Sequence, residues 1–254
     1  MASLQALKHG LRSRMKERLR AVSPEAIKSQ SSTVQRLLRD FRPYRDARRV
    51  GIFLSMPAGE IQTDGIVRDA LLAGKEVFVP YLHANPDPSP ELPGRLMDMV
   101  RLVDVRDYEA LRPDRWGIPS LDPATVCERQ RVLGRGGGPD PVLLDLVLLD
   151  LVLVPGLAFD RSPEDGTIRR LGHGKAFYDY FIRRHQERAA ARPASAASAG
   201  ATSPSARLYA LALSEQFLAS PAEGSVPVGP FDQRLDGLVL GHGQIIERAS
   251  GTTD

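Results

Sequence analysis

Leu4, Leu7, Leu11, Met15, Leu19 and Val22 recur at three- and four-residue steps, and the positions between them carry Lys8, Arg12, Arg14, Lys16, Arg18 and Arg20. That spacing predicts an amphipathic helix with a basic flank. Ser23-Pro24-Glu25 reads as an N-cap with proline at the first helical position, and predicts a second helix through Ile27, Val34, Leu37 and Leu38. The period then shortens. Residues 50–56 and 77–80 predict strands, joined by a helix through Ile66, Val67, Ala70 and Leu71 that Thr63-Asp64 caps and Gly74 ends. Residues 83–94, rich in proline and aspartate, predict a surface loop, and residues 95–102 alternate apolar and polar side chains like a strand. Residues 146–154 are apolar except for Asp150 and run into Pro155-Gly156, the pattern of a buried strand that releases the backbone into a turn. A polar spacer, 160–169, precedes an aromatic segment (Phe177, Tyr178, Tyr180, Phe181) that begins a helix. Strands follow at 208–213 and 237–240, the latter as the final strand, with a loose tail beyond Glu247.

A strand–helix–strand unit with short turns favours a parallel sheet with right-handed crossovers. The expected fold is therefore α/β: a three-layer α/β/α sandwich around a mostly parallel, Rossmann-like sheet. One domain over residues 1–254 is expected, carrying a low-complexity insertion of Ala, Ser and Pro at about 189–206 that cannot bury enough surface to offset its ordering entropy. In such sheets ligands sit beyond the carboxyl ends of the strands, which puts Leu54 and Glu60 at the mouth.

Composition narrows the class. An apolar content of 42% over 254 residues is enough for a substantial core. The single Cys127 excludes an intrachain disulfide, so a reducing compartment is expected. No apolar run reaches the roughly 18 to 20 residues a membrane span needs. A formal charge of +3 and a pI near 9.2 suit an anionic small molecule. Arg42, Arg45, Arg48 and Arg49 lack an accompanying aromatic ladder and read as a solvated face, so no nucleic-acid partner is expected.

The candidate chemistry lies in residues 170–179. Gly172 and Gly174 flank His173, and Lys175 stands just before the aromatic helix. Glycines let backbone N–H groups approach an anion, a helix start offers unpaired donors, and lysine adds a point charge. The spacing is not that of a P-loop, and a lone G-x-G-K is more often a glycine turn with an exposed lysine. The basic N-terminal helix likewise has three readings: a solvated face, a presequence without acidic residues up to Lys16, or a helix lending cations to an anion site. Gly136-Gly137-Gly138 reads as a flexible loop.

The whole string decides between these readings. PGLAFD (155–160), RLGHGKAFYD (170–179), the Lys8-x-x-x-Arg12 segment, IFLSM (52–56) followed by Glu60-Ile61-Gln62-Thr63, GKEVFVP, MDMVRL, WGIP and LALSEQ occur in order over most of the chain. Together they resemble the 5-formyltetrahydrofolate cyclo-ligase family. The resemblance implies an ATP- and Mg²⁺-dependent cyclisation of 5-formyltetrahydrofolate. It implies nucleotide contacts at Lys8, Arg12, Arg170, Leu171, Gly172, His173, Gly174, Lys175, Ala176, Phe177 and Tyr178, with Lys175, Arg170 and Tyr178 in the catalytic roles. Substrate contacts are implied at Leu54, Glu60, Met97 and Trp116 and at His173, Gly174, Lys175, Ala176 and Phe177, and magnesium at Asp179 and Asp232. His173 stands where many relatives have arginine, and Ala176 where glycine is usual. A monomeric cytoplasmic enzyme is expected, with the mitochondrion as the alternative compartment. A folate-binding relative of weak activity and a sugar-phosphate isomerase or CoA transferase of similar fold are the competing functions.

Overall fold

The computed structural model describes residues 3–85, 94–133, 148–191 and 206–248. Ser3 caps α1 (Leu4–Arg20) by accepting from the Ala6 N–H, and Ser23 caps α2 (Pro24–Asp40) by accepting from Ala26. After the short α3 (Arg42–Asp46), β1 (Arg49–Ile52) ends earlier than its apolar run, because Phe53 and Leu54 turn out of the sheet while staying buried. Thr63 stands at the start of α4 (Asp64–Leu72) without capping it: its hydroxyl donates to the Phe53 carbonyl at 2.8 Å and so ties the loop after β1 to the helix. Gly74 follows the helix with φ +74°, where a side chain would be strained.

β2 (Glu76–Ala84) runs further than expected and pairs antiparallel with β3 (Arg95–Arg101), so His83 and Ala84 lie in a strand, while 86–93 fall outside the described residues. The alternation expected in β3 also fails at Asp98. This side chain is buried, accepting from the N–H of Met99 and of Leu133 (both 2.7 Å) and from Arg131 Nε at 3.0 Å. Next come α5 (Val105–Glu109), a small hairpin of β4 (Arg112–Pro113) and β5 (Pro119–Ser120) bearing Trp116, and α6 (Pro123–Val126). The strand expected from residue 146 is β6 (Leu151–Val154); 146 and 147 lie outside the described residues, and the Asp150 carboxylate accepts the N–H groups of Arg48 and Arg49.

The polar spacer is a correction. It forms a hairpin, β7 (Ala158–Arg161) with β8 (Ile168–Leu171), pinned by Arg169 on the buried Asp160. α7 (Phe177–Ala190) then takes in the first residues assigned to the insertion, with Ala189 buried; 192–205 are outside the described residues. β9 (Arg207–Ala212), β10 (Gly237–Leu240) and β11 (Ile245–Glu247) close the chain, so 237–240 is not the final strand.

The main sheet has the order β11-β10-β9-β6-β1-β2-β3, parallel from β10 to β2 and antiparallel at both edges. Alternate side chains feed two cores. Leu151, Leu153, Ile52 and Leu211 face α1, α2 and α4, whereas Val152, Val154, Ala210 and Phe78 face α7. That is the α/β three-layer arrangement. The chain leaves β1 toward β2 on one side and resumes through β6 and β9 on the other, so the order reverses between β1 and β6. A crevice opens at such a reversal, outside the carboxyl ends of the two strands.

Away from the crevice the basic cluster is neutralised on the surface, Arg42 and Arg45 by Asp46, Arg48 and Arg49 by Glu76. Among the described residues no helix is long and apolar enough to cross a membrane. On the α7 face, Phe181 is fully buried and His185 accepts the Leu149 N–H at 3.1 Å; burial pushes its pKa down to about 4. Phe181→Ala is expected to lower unfolding stability by about 3–5 kcal/mol through the cavity it leaves, read from the denaturant midpoint.

Candidate functional site

The loop after β1 (56–60), the Pro155–Gly156 turn after β6, and the bend 172–176 between β8 and α7 meet at this reversal. Arg170, at the end of β8, is 7% exposed and joins them: Nη1 donates to the Pro155 carbonyl (3.2 Å), Nη2 donates to Asp179 Oδ2 (2.8 Å), and the guanidinium lies 5.6 Å from the Tyr178 ring centroid. Its Nε is buried without a hydrogen-bond partner. An orphaned cationic donor of this kind fits an anionic ligand.

The bend has unusual backbone. Gly174 has φ +99°, and a Cβ there would sit 3.2 Å from Arg12 Cζ, so the glycine admits the arginine. Ala176 has φ +54°, the one non-glycine residue with positive φ among the described residues, and it precedes α7 without a side-chain cap. The methyl group therefore stands where the backbone favours glycine, and it leaves the first N–H groups of α7 to whatever occupies the bend. Lys175 is exposed.

α1 closes the second side. Lys8 Nζ donates to Asp232 Oδ1 and Oδ2 at 2.7 and 2.5 Å, and Arg12 Nε donates to the Gly172 carbonyl at 2.9 Å. Asp232 also accepts the Gly229 N–H, and Asp179 accepts the Gln233 N–H at 3.0 Å, so Asp179 binds the backbone of the residue that follows Asp232. Lys8, Arg12 and Lys16 are four apart and share one helix face. Lys16 and Gln233 belong to this neighbourhood although no sequence motif singled them out; the 8-12-16 spacing would have found Lys16.

His173 reaches solvent at the bend, yet its imidazole pKa is held below the ordinary histidine range by desolvation first, then by Lys16, Arg170 and Arg12. Glu60 is 4% exposed, and burial pushes its pKa up to about 7 against the opposing hydrogen bond from the Met56 N–H (2.6 Å). Tyr178 is raised by burial and by the nearby Glu60 charge, which puts the β1 loop and the start of α7 side by side.

The expected substrate residues are only partly brought together. Leu54 is buried just past β1, and Trp116 is 63% exposed on a turn where a Cβ on Gly117 would strike Pro57, so this turn adjoins the loop to Glu60. Met97 departs from expectation: it is buried among Phe78 and Met99 in the α7-side core and presents no surface to the bend.

Two substitutions probe this geometry. Glu60 binds protons more tightly folded than unfolded, so its contribution falls as pH rises from about 4.5 to about 7, and the penalty is complete above that. Glu60→Gln is expected to raise stability at pH 8 by up to about 3 kcal/mol and to flatten the stability profile over that window, read by denaturant titration at each pH. Ala176→Gly is expected to raise stability by about 1 kcal/mol by relieving the left-handed backbone, again as a shift in denaturant midpoint.

The family model described as "5-formyltetrahydrofolate cyclo-ligase family" matches residues 4–240. The 5-formyltetrahydrofolate cyclo-ligase of Mus musculus is 34% identical over 188 residues, covering 73% of this chain and 79% of its own length. A probable 5-formyltetrahydrofolate cyclo-ligase of Caenorhabditis elegans is 29% identical, covering 94% of this chain and 95% of its own. An NMR structure of the Aquifex aeolicus 5,10-methenyltetrahydrofolate synthetase superposes with a TM-score of 0.62 at 20% identity over 98% of this chain and 96% of that one, a likeness of fold. The chain thus belongs to the 5-formyltetrahydrofolate cyclo-ligase family, a family of ligases in folate one-carbon metabolism.

Proposed function

We propose that this chain catalyses the ATP- and Mg²⁺-dependent cyclisation of 5-formyltetrahydrofolate to 5,10-methenyltetrahydrofolate, with release of ADP and phosphate. The observation that carries the reading is the convergence of Arg12 on the Gly172 carbonyl and of Arg170 on Asp179 around the 172–176 bend, with Lys8 one turn before Arg12 on Asp232 and with Glu60 and the exposed Trp116 on the neighbouring loop.

The chemistry calls for this combination. A formamide oxygen is a poor leaving group; phosphorylating it makes an activated iminium phosphate that N10 of the same molecule attacks, and loss of phosphate closes the methenyl bridge. Both reacting atoms belong to one substrate, so holding it bent gives a large effective molarity and little acid–base machinery is needed. In this reading Lys175 lies on the transferring phosphoryl group, and Arg12 and Arg170 balance phosphate charge. The backbone from Leu171 to Ala176 and the open start of α7 cradle the phosphates. Phe177 and Tyr178 pack against the reactants, with Leu54, Glu60 and Trp116 on the folate side; Met97 is left out because it stays in the core. His173 enters uncharged near neutral pH, so it adds less to phosphate binding than an arginine there would.

Asp179 and Asp232 are the carboxylates that would hold magnesium in this reading, exchanging part of their present pairing with Arg170 and Lys8 for the ion. This hard cation takes one or two carboxylates and completes its shell with phosphate oxygens and water. Among the described residues no group of three or more His, Cys, Asp or Glu gathers to hold a metal alone, which suits an ion that comes with the nucleotide. When bound, it neutralises phosphate charge. A monomer in the cytoplasm is the proposed setting.

A second reading, a folate-binding relative of weak turnover, draws on the strained Ala176 and the neutral His173. Incubation of the purified protein with 5-formyltetrahydrofolate and MgATP separates the two. Methenyl absorbance is expected to grow with wild type, and Lys175→Ala to lower the rate by about 100-fold or more. Equal rates would remove Lys175 from its role, and folate binding without methenyl formation would favour the second reading.

A further inference from the structure

Gln216 is a buried polar side chain that the proposed chemistry leaves unused. It closes the 3-10 turn Ser214–Gln216 just past β9, in the LALSEQ stretch, and is 1% exposed. Both ends of its amide are committed. Oε1 accepts the Leu213 N–H at 2.8 Å, and Nε2 donates to the Gly156 carbonyl, 60 positions away. One partner is a donor and the other an acceptor, so together they fix which end of the amide points where. Capping the 3-10 turn needs only the Leu213 bond; the bond to Gly156 reaches into the site.

Gly156 lies in the turn after β6, at the mouth of the sheet. Its carbonyl and the Leu157 N–H belong to one planar peptide unit. Gln216 holds the carbonyl end of that unit, and the Leu171 carbonyl holds the N–H end at 2.7 Å. The peptide unit before it carries the Pro155 carbonyl, which accepts Arg170 Nη1. Gly156 also packs on that arginine: a Cβ there would fall 3.1 Å from Arg170 Cγ and 2.6 Å from Phe159 Cζ. The far side of the clamp is anchored, since the Leu218 N–H donates to the Phe159 carbonyl at 2.8 Å and ties the chain after Gln216 to β7. Without the amide, a buried carbonyl loses its donor, and a glycine with no Cβ to restrict it lets the turn rotate in search of another.

We propose that Gln216 is a positioning residue for Arg170: by holding the Gly156–Leu157 peptide it sets the Pro155 carbonyl, and through that carbonyl the angle at which the guanidinium meets phosphate. The inference rests on the reading above in which Arg170 balances phosphate charge, and it adds a residue that touches neither nucleotide nor folate. A buried arginine with an unpaired Nε gains from such a support, because a small rotation of the turn redirects the donor that is left for the ligand.

Calorimetric titration of the full-length protein with MgATP and, separately, with 5-formyltetrahydrofolate tests it, each variant being kept well below its own melting midpoint so that only folded protein is titrated. Gln216→Met, similar in length and without donors, is expected to weaken MgATP roughly 5- to 30-fold and to leave the folate within about twofold. In an Arg170→Met background, or Arg170→Gln where methionine does not fold, the same change is expected to alter MgATP affinity by less than about twofold, because the group it positions is gone. Gln216→Glu supplies the rescue. When protonated, its hydroxyl donates to the Gly156 carbonyl while its other oxygen accepts the Leu213 N–H, and burial raises the pKa of such a carboxyl. Its MgATP affinity is expected to match that of wild type at acid pH and to fall below it as pH rises. Wild-type MgATP affinity in folded Gln216→Met overturns the inference and leaves Gln216 as a cap for its own turn. An equal loss in the Arg170→Met background also overturns it, since the effect then bypasses Arg170. A wild type that binds no MgATP defeats the ATP reading itself, and the inference with it.

Discussion

Arg170 is a buried cation, and the mouth of the sheet is arranged around its charge. Taking a guanidinium out of water costs several kcal/mol unless its donors are met. Here one side is met by a carboxylate from the first turn of α7, another by the carbonyl that ends β6, and the face by the Tyr178 ring. Two of these partners lie on α7 and one ends β6, and Arg170 itself ends β8, so satisfying the charge ties together the end of β6, the return of the β7–β8 hairpin and the start of α7. Nε is the one guanidinium nitrogen without a partner. The crevice at the strand reversal is thus a product of electrostatic closure as much as of topology.

Around that closure the chain accumulates local costs. Ala176 holds a left-handed backbone, Glu60 is buried where its charged form is disfavoured, and Arg12 and Lys16 crowd His173. Such costs persist only where the surroundings over-determine them. The surroundings here are two continuous cores on either side of a seven-stranded sheet, with β6 and β10 buried along their whole length. A ligand with negative charge and hydrogen-bond donors would relieve several of these costs at once: phosphate for the cations, donor groups for the Glu60 carboxylate.

What was legible in the sequence follows from the range of the forces involved. Ser23-Pro24 announces α2 because capping is settled within three residues, and Gly172-His173-Gly174-Lys175 announces a bend for the same reason. The expected three-layer sheet was legible from the change in hydrophobic period. The β7–β8 hairpin was not, since it depends on Arg169 finding Asp160 and on distant partners, Phe217 and Leu218 on Phe159 and the Val226 N–H on Asp160. β3 misled for a related reason: Asp98 looks solvent-facing until Arg131 and the Leu133 N–H, more than thirty residues away, satisfy it. Thr63 looked like a cap, but its hydroxyl found a carbonyl across the loop. Within the site, the cations of α1 could be read only as a basic face; that they meet Asp232 and Gly172 is a tertiary fact.

That last fact bears on how the site is made. Lys8 and Asp232 are 224 positions apart, and Arg12 and Gly172 are 160 apart, so only a fragment spanning most of the chain contains both halves. α1 is held to the body chiefly by Leu11, Met15 and Leu19 and by polar contacts at the crevice and at Glu223. Those three side chains belong to the core on the α1–α2–α4 face of the sheet, so moving α1 away would expose part of that core. The same movement would remove the α1 cations from the bend while leaving Arg170, Asp179 and α7 in place. Whatever anion binds between them therefore stabilises the docked α1 by RT ln(1 + L/Kd), where L is its free concentration, and completing the fold and filling the site become one equilibrium.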